Sequence, residues 1–256
     1  SERLGLERDL RAAIARGQLE LHYQPKVDTG DGGVVGVEAL ARWPHPTLGQ
    51  IPPEKFIALA EETGLIESLG LWVLDSACRQ LAAWREQGIA GVGMAVNLSA
   101  HQLRAPALVE QVRDAMARHG IGAGELELEV TESVAMNNPA RAIDQLKALR
   151  DLGVDLAIDD FGTGYSSLAY LKLLPIQTLK LDRTFVRDIE SDENDAAISA
   201  ATLALAHNLG LRVVAEGVET EAQRRFLAAH QCDVLQGYLF SPPLPAEAAT
   251  AYLRAA

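Results

Sequence analysis

The chain has 256 residues, of which 48% are hydrophobic, and its formal net charge is −12. A chain of this length and apolar content can bury a substantial core, so we expect one α/β domain over residues 1–256 with no linker. The negative charge and the lack of a basic stripe argue against binding to extended nucleic acids, and the apolar runs are too short for a membrane span of roughly 20 residues.

The first elements are predicted to be a helix and a hairpin. Apolar positions near helical spacing predict a helix over residues 4–15, and LELHYQP is typical of a strand that Pro25 ends. The turn VDTGDGG follows, and residues 34–40 return as a second strand. Because this connection is too short for a crossover helix, the two strands should be antiparallel.

From residue 53 onward, helices are predicted to alternate with strands. The helices span residues 53–87, 106–119, 139–152, 195–209, 221–229 and a closing segment after residue 245, with a short segment at 168–173 after a glycine loop. The strands span residues 92–97, 126–131, 156–159, 178–182, 213–216 and 233–236. Repeated βα units in one α/β domain favour a TIM or (β/α)8 barrel, modified by its antiparallel opening hairpin, over an open doubly wound sheet.

Strand parity directs polar side chains to one end of this barrel. One face of each strand packs on helices and must be apolar, while the other points into the barrel. In LELEVTE, the helix-facing positions are Leu126, Leu128 and Val130, so Glu127 and Glu129 point inward. The same count, or position at a strand end, directs seven polar residues to the carboxyl-end mouth: Glu38, Asn97, Glu129, Asp159, Lys180, Glu216 and Gln236. Barrel enzymes keep their chemistry at this mouth.

Two adjacent carboxylates, Asp159 and Asp160, close a strand in the stretch DLAIDDFGTGYSS. Alone, this stretch fits a metal site or a solvated turn with an Asp N-cap equally well. Several carboxylates in one mouth repel strongly unless divalent cations neutralise them, so the whole set favours a metal site. Oxygen donors without clustered histidine suit Mg²⁺ or Mn²⁺, with Ca²⁺ as a further candidate, and the paired aspartates could serve two ions about 4 Å apart. Lys180 could hold a phosphate oxygen or water, or pair with a carboxylate.

Seven segments then occur in a fixed order along the chain. They are EALARW (38–43), NLS (97–99), ELEVTES (127–133), DDFGTGYSSL (159–168), LKLD (179–182), AEGVE (215–219) and QGYLFSPP (236–243). Together they resemble the EAL-domain cyclic-di-GMP phosphodiesterases, over about residues 4–253. The resemblance implies a barrel with one antiparallel strand and hydrolysis of cyclic di-GMP to linear 5′-pGpG with Mg²⁺ or Mn²⁺.

The resemblance also implies a role for each mouth residue. The implied ligands of the first ion are Glu38, Asn97, Glu129 and Asp159. Asp159 is shared and Asp160 serves a second ion, with Ca²⁺ as an inhibitory occupant. Glu216 matches a position that is either a ligand or the general base, and Lys180 matches the lysine that orients the attacking water. Lys180, Glu216 and Asp160 are therefore the expected catalytic residues.

Substrate contacts are expected from four further positions. Arg42 matches a phosphate-contacting arginine, and Gln236 matches a residue that lines the substrate and metal pocket. Gln24 and Leu40 are expected to contact cyclic di-GMP as well.

The resemblance extends to the loop after the paired aspartates. Glu132 looks like the glutamate that anchors the DFGTGYSS loop, and Glu219 is similar to a second residue that supports the site. This loop lies near the family's dimer interface, so a homodimer is expected. The resemblance further suggests a module of a longer signalling protein. Isolated Cys78 and Cys232 suit a reducing compartment, so we expect a cytoplasmic location, including that of a cytoplasmic domain in a membrane-anchored protein.

Two other functions compete with catalysis. Relatives that bind the dinucleotide without cutting it typically lose one of the acids, and this chain retains all of them, which favours the enzyme over a cyclic-di-GMP receptor. A barrel glycosidase would use two carboxylates on the same face, but it would explain neither the asparagine, the lysine nor the paired aspartates.

Overall fold

A closed barrel of strands surrounded by helices forms the centre of the molecule. The computed structural model describes residues 2–164 and 167–256. Its strands are β1 (Glu20–Asp28), β2 (Val34–His45), β3 (Gly49–Ile51), β4 (Gly93–Asn97), β5 (Leu126–Thr131), β6 (Asp155–Phe161), β7 (Thr178–Leu181), β8 (Arg212–Ala215), β9 (Val234–Gln236) and β10 (Leu244–Pro245). Its helices are α1 (Glu2–Arg16), α2 (Pro53–Thr63), α3 (Ile66–Glu86), α4 (Ala100–Arg104), α5 (Leu108–His119), α6 (Glu132–Met136), α7 (Pro139–Asp151), α8 (Leu168–Leu171), α9 (Arg183–Arg187), α10 (Glu193–Asn208), α11 (Glu221–Ala229) and α12 (Ala246–Ala255).

Pairing between the strands confirms the predicted barrel and its antiparallel hairpin. Neighbouring strands pair in parallel in the order β2, β4, β5, β6, β7, β8, β9. β1 closes the ring, because it pairs antiparallel with β2 on one side and with β9 on the other. The carboxyl ends of the parallel strands therefore meet at one mouth.

The first two strands run further than the sequence predicts. Pro25 does not end β1: it lies opposite Val37, and the strand continues to Asp28 with a register shift between Lys26 and Val27. A proline is tolerated beside such an irregularity, and the last residues of β1 gain β9 as a second partner. β2 likewise continues to His45 because the short strand β3 pairs with its end.

The long helical region predicted over residues 53–87 is two helices. Gly64, with φ of 75°, ends α2 in a left-handed conformation that glycine adopts readily. The short helices α4, α6 and α9 and the strands β3 and β10 were not predicted. Within the described parts of the chain, no helix has the length and apolar character that crossing a membrane requires.

The main core lies between the strands and the helices, as strand parity predicts. Leu126, Leu128 and Val130 on β5 are fully buried in this core. Between them, Glu129 points into the barrel, where it meets lysines from other strands. A second apolar cluster joins α1, α2 and the end of β2 around Trp43 and Phe56. The barrel interior thus holds charged residues such as Glu129 inside this apolar shell.

A charged cluster on the outer layer ties α3 to α5. Asp75 on α3 lies 2.8 Å from His119 Nε2 and accepts a hydrogen bond from Arg118, both on α5, and one from Arg79 on its own helix. Burial alone would raise the pKa of Asp75, but these partners, His119 first, lower it to about 2.

We expect Asp75→Asn to lower the free energy of unfolding near pH 7 by about 1–2 kcal/mol, since a carboxyl whose folded pKa is depressed stabilises the fold above its unfolded pKa. That stabilisation is lost as the pH falls through the folded value. Urea unfolding at pH 5 and at pH 3 tests this pH dependence. The free energies of unfolding of Asp75→Asn and the wild type should differ less at pH 3 than at pH 5. A constant difference would show that packing, not charge, is responsible.

Candidate active site

Residues from several strands meet around one buried lysine at the carboxyl-end mouth. Lys180 Nζ, on β7, lies 2.9 Å from Glu38 Oε1, 2.6 Å from Glu129 Oε2 and 2.9 Å from Glu216 Oε1. The Lys180 side chain is 0% exposed. β2, β5 and the end of β8 thus each place a glutamate on one cation, as strand parity predicts for Glu38, Glu129 and Lys180 and position at a strand end predicts for Glu216.

Amide side chains complete the surroundings of Glu38. Asn97 Nδ2 donates to Glu38 Oε2 at 2.9 Å, and Gln236 Nε2 donates to Glu38 Oε1 at 2.9 Å. Gln236 Nε2 also donates to Gln24 Oε1 at 3.0 Å, so Gln24 lies in the same network. Among the described residues, Gln236 Oε1 is a buried acceptor that lacks a hydrogen-bond partner. An orphaned acceptor inside a charged network fits a site that receives a cation or a donor group.

Burial and charge shift the pKa values of two buried acids, Glu38 and Glu129, in opposite directions. Burial alone would raise the pKa of Glu38, but Lys180, Lys26 and the two amide donors lower it to about 2. Burial and the facing charge of Glu38 raise the pKa of Glu129 to about 7 despite its lysine partners. The surrounding acids more than offset burial at Lys180 and hold its pKa well above the usual value. The network is therefore rich in negative charge that Lys180 and Lys26 together do not fully neutralise.

The paired aspartates and Glu216 form a tight carboxylate cluster beside this network. One oxygen from each of Asp159, Asp160 and Glu216 lies within 4.8 Å of the others. Burial raises the pKa of Asp160 to about 6, with the charge of Asp159 as the next cause. Burial likewise raises the pKa of Glu216 well above its ordinary value. Three carboxylates at this separation, with the pKa values of Asp160 and Glu216 raised, fit a divalent cation between them.

A backbone irregularity brings Asp159 and Asp160 to the same side. The register between β6 and β7 shifts between Ile158 and Phe161, and Asp160 has φ of 55°, which is rare for a residue with a side chain. The Asp160 N–H donates to Asp159 Oδ1 at 2.8 Å, which holds the turn. In a regular strand, consecutive side chains point to opposite faces, so the bulge is what makes the cluster.

Glu132 lies under the loop that follows the aspartates. This side chain is 1% exposed, and its Oε2 accepts the Gly162 N–H at 2.8 Å. Burial raises the pKa of Glu132, while backbone N–H groups of Gly162, Gly164 and Thr163 act against that shift. The structure thus places Glu132 where an anchor of the loop must be, although its role stays a prediction. Residues 165 and 166 of the predicted dimer loop lie outside the described residues.

Arg42 and Leu40 line a pocket that opens beside the acids. Its volume is about 330 Å³, and its walls include Asn97, Glu129 and the apolar side chain of Ile57. Arg42 Nη1 donates to the Ala41 carbonyl oxygen at 3.2 Å. An apolar cavity with an arginine at the edge of a carboxylate cluster suits a ligand with a flat base and a phosphate.

Glu219 lies apart from the lysine network. It is exposed, and its main-chain N–H donates to Gln223 Oε1 at 2.7 Å at the start of α11. Its predicted supporting role is untested by this geometry.

Lys26 is the one residue of the network, among those the structure describes, that the sequence analysis missed. Its Nζ lies 2.9 Å from Glu129 Oε1 and 3.4 Å from Glu127 Oε1. Lys26 follows directly after Pro25, the predicted end of the strand, so no inward position was predicted for it. Continuing the alternation of β1 past Pro25 puts Gln24 and Lys26 on the inward face, so the signal was present.

A barrel that gathers carboxylates and a buried lysine at the carboxyl ends of its strands belongs to the class of (β/α)8-type barrels with an enzyme-like mouth. The EAL domain model matches residues 7–243, and the chain belongs to this family. The resemblance of the seven sequence segments is thereby confirmed.

The chain is similar to two proteins of Pseudomonas aeruginosa. MucR, a bifunctional diguanylate cyclase/cyclic di-GMP phosphodiesterase, is 52% identical over 246 residues, which are 96% of this chain and 36% of MucR. The cyclic di-GMP phosphodiesterase NbdA is 49% identical over 255 residues, which are 100% of this chain and 33% of NbdA. The chain thus spans about a third of the length of these curated relatives.

A solved structure of the PaMucR phosphodiesterase in complex with c-di-GMP has the same fold. It gives a TM-score of 0.93 at 51% identity and covers 97% of this chain and 100% of that chain.

Proposed function

We propose that this chain is a phosphodiesterase that hydrolyses cyclic di-GMP to linear 5′-pGpG in a metal-dependent reaction. The observation that carries the proposal is Lys180 buried against glutamates from three strands, directly beside the Asp159, Asp160 and Glu216 cluster. The relatives MucR and NbdA, which bear the phosphodiesterase name, support it at about half identity.

The donor set fits Mg²⁺ or Mn²⁺, because it consists of carboxylate and amide oxygens. The residues that would hold the first ion are Glu38, Asn97, Glu129 and Asp159. Asp160 would serve a second ion, and Glu216 would be either a metal ligand or the general base. Ca²⁺ is proposed as an inhibitory occupant. A bound divalent ion supplies charge neutralisation at phosphorus and lowers the pKa of water.

The chain's own residues bind and orient the substrate. Arg42 is proposed to contact a phosphate oxygen, and Leu40, with the adjoining pocket of about 330 Å³, is proposed to contact a base. Gln236 and Gln24, already hydrogen-bonded to each other, are proposed as further substrate contacts.

Proton transfer in this proposal involves Lys180 and Glu216. Lys180 stays charged, since its pKa is held well above the usual value, and it orients the attacking water by donating to it. Glu216, whose pKa burial raises, can take the proton that the water loses. The water oxygen bonds to phosphorus as the bond from phosphorus to the 3′-oxygen breaks, and the leaving 3′-oxygen takes up a proton from solvent to become the 3′-hydroxyl of pGpG.

The test is incubation of the purified chain with cyclic di-GMP and Mg²⁺, with resolution of the products by anion-exchange chromatography. We expect pGpG to accumulate and EDTA to stop its formation. Tight binding of cyclic di-GMP with no product in either Mg²⁺ or Mn²⁺ would contradict the phosphodiesterase activity and favour the function of a cyclic-di-GMP receptor. Product formation in EDTA would overturn the metal dependence alone.

Glu132→Ala is expected to raise KM for cyclic di-GMP about tenfold, since a loop that loses its buried acceptor is held less firmly over the mouth. Mn²⁺ affinity, measured by calorimetry, should weaken with it. Glu110→Ala removes an exposed glutamate from α5 and serves as the matched control. Unchanged KM and unchanged Mn²⁺ affinity would rule out the anchoring role.

We also propose that the chain forms a homodimer on the side of the DFGTGYSS loop. Leu168 and Leu173, next to this loop, are 58% and 55% exposed, which suits a face covered by a second copy. Sedimentation velocity should show a dimer that Leu168→Glu together with Leu173→Glu converts to a monomer. A monomeric wild type at micromolar concentration would contradict the expectation.

The cellular setting is part of the proposal. The chain is proposed to be part of a longer multidomain signalling protein, because it spans about a third of its curated relatives. A cytoplasmic location is proposed because isolated Cys78 and Cys232 suit a reducing compartment.

A further inference from the structure

Lys26 is a second buried lysine that reaches the metal-site glutamates from the opposite side to the mouth. Its side chain is 7% exposed and its Nζ lies 2.9 Å from Glu129 Oε1. A cavity of about 150 Å³ borders it, with Asp155 and Arg212, the first residues of β6 and β8, in its wall. Parallel strands begin at the floor of the barrel, so Lys26 approaches Glu129 from the floor.

Small residues in the barrel interior make room for this lysine. Gly36 lies opposite Lys26 in the β1–β2 pair, and Gly93 and Ala95 line the same cavity. A Cβ added at Gly36 would lie 3.0 Å from the Gly93 carbonyl oxygen, so a larger residue there would require a backbone shift. The interior below Glu129 is therefore open to a long side chain from β1.

The two lysines hold separate oxygens of Glu129. Lys26 contacts Oε1 at 2.9 Å, while Lys180 contacts Oε2 at 2.6 Å. Lys180 also contacts two other glutamates at 2.9 Å, so it can release Oε2 to a cation and remain paired. The other carboxylate that contacts Lys26, on Glu127, is further away at 3.4 Å. Oε1 is accordingly the oxygen that stays occupied.

We propose that Lys26 is a positioning residue that leaves Glu129 one free oxygen and thereby favours Mg²⁺ or Mn²⁺ over Ca²⁺. The inference rests on the metal site of the proposed function. Ca²⁺ takes six to eight oxygen ligands and readily accepts bidentate carboxylates, whereas Mg²⁺ requires near-octahedral geometry with shorter bonds. A glutamate restricted to one oxygen supplies too few ligands for the larger ion, and a partner that fixes a ligand commonly changes metal affinity about 10–100-fold.

The test compares Mn²⁺ and Ca²⁺ binding to the whole chain by calorimetry, with each ion alone and no nucleotide. In Lys26→Met, which keeps the length of the side chain but removes its charge and donors, we expect Ca²⁺ affinity relative to Mn²⁺ to rise about tenfold. Lys26→Arg should keep the wild-type ratio, because the bordering cavity admits a larger cationic head. Glu127→Gln is the matched control, since it weakens the other ion pair of Lys26 and leaves Glu129 held.

An unchanged ratio in a Lys26→Met chain with the wild-type circular dichroism spectrum would overturn the inference. The inference would also be overturned if Lys26→Arg changed the ratio of Ca²⁺ to Mn²⁺ affinity as much as Lys26→Met does. If Lys26→Met does not fold, Lys26→Gln, which is too short to reach Glu129, carries the same expectation. If the wild-type chain binds neither ion, both the proposed metal site and this inference are wrong. If the wild-type chain binds Mn²⁺ and Lys26→Met has the same ratio of Ca²⁺ to Mn²⁺ affinity, only the role of Lys26 is wrong.

Discussion

Asp159→Asn is expected to lower turnover of cyclic di-GMP by about 10³-fold or more while the chain stays folded. Asp159 is the residue that links the two parts of the site, because it belongs to the carboxylate cluster with Asp160 and Glu216 and its charge also raises the pKa of Glu129. Asparagine keeps the volume and the oxygen that accepts the Asp160 N–H, but it removes the charge. Steady-state kinetics with saturating Mg²⁺ measure the loss.

The same substitution at the other end of the strand gives the control. Asp155 begins β6 and pairs with Arg150 at the barrel floor, so Asp155→Asn changes a carboxylate without touching the mouth. We expect this variant to keep wild-type turnover and Asp159→Asn to lose most of its Mn²⁺ binding in calorimetry. If Asp159→Asn turned over the substrate normally, the metal assignment would be wrong.

The barrel was predictable because the patterns that specify its strands and helices each lie within a short stretch of sequence. Apolar runs that alternate with helical segments lead directly to parallel strands covered by helices, and the strand predicted at residues 126–131 has the bounds of β5. The short hairpin connection likewise leads to the antiparallel β1. The early end predicted for β1 was wrong because its partner is distant in sequence: β1 continues past Pro25, where β9 pairs with it.

The site was predictable as far as regular strand geometry holds. Parity placed Glu129 and Lys180 inside the barrel, and they meet there. It could not place Asp159 and Asp160 on one side, since alternation puts neighbours on opposite faces and only the bulge with φ of 55° at Asp160 brings them together. Their adjacency in the sequence already suggested a shared metal site, but strand geometry could not show how both side chains reach it.

The balance of buried charge explains why the mouth depends on cations. Glu38, Glu129 and Glu216 share Lys180, and Lys26 adds a second positive charge from below. Neither Asp159 nor Asp160 is among the acids in close contact with Lys180. Burial, followed by repulsion from Asp159, raises the pKa of Asp160 to about 6. A divalent ion at the aspartates would remove the repulsion that the lysines leave, so metal binding should also stabilise the fold.

Lys180→Met is expected to affect stability and catalysis together. Without divalent ions, the free energy of unfolding should fall by about 3–5 kcal/mol at neutral pH, because breaking a buried pair leaves uncompensated charge. Mg²⁺ should recover part of this loss. The deficit should also shrink from pH 8 to pH 6, because Glu129, whose pKa already stands at about 7, takes up a proton there and no longer needs its cation. Urea unfolding with and without Mg²⁺ at both pH values measures these terms.

In the catalytic assay, Lys180→Met should lower kcat about 100-fold and change KM by less than about threefold, since a lysine that orients the attacking water acts mainly in the transition state. Lys147→Met, which removes an exposed lysine from α7, should leave kcat, KM and stability at wild-type values. A rise in KM with unchanged kcat would make Lys180 a substrate clamp. Loss of stability without any loss of kcat would assign it to the fold alone, because a buried cation that only neutralises Glu38, Glu129 and Glu216 has no part in moving the water.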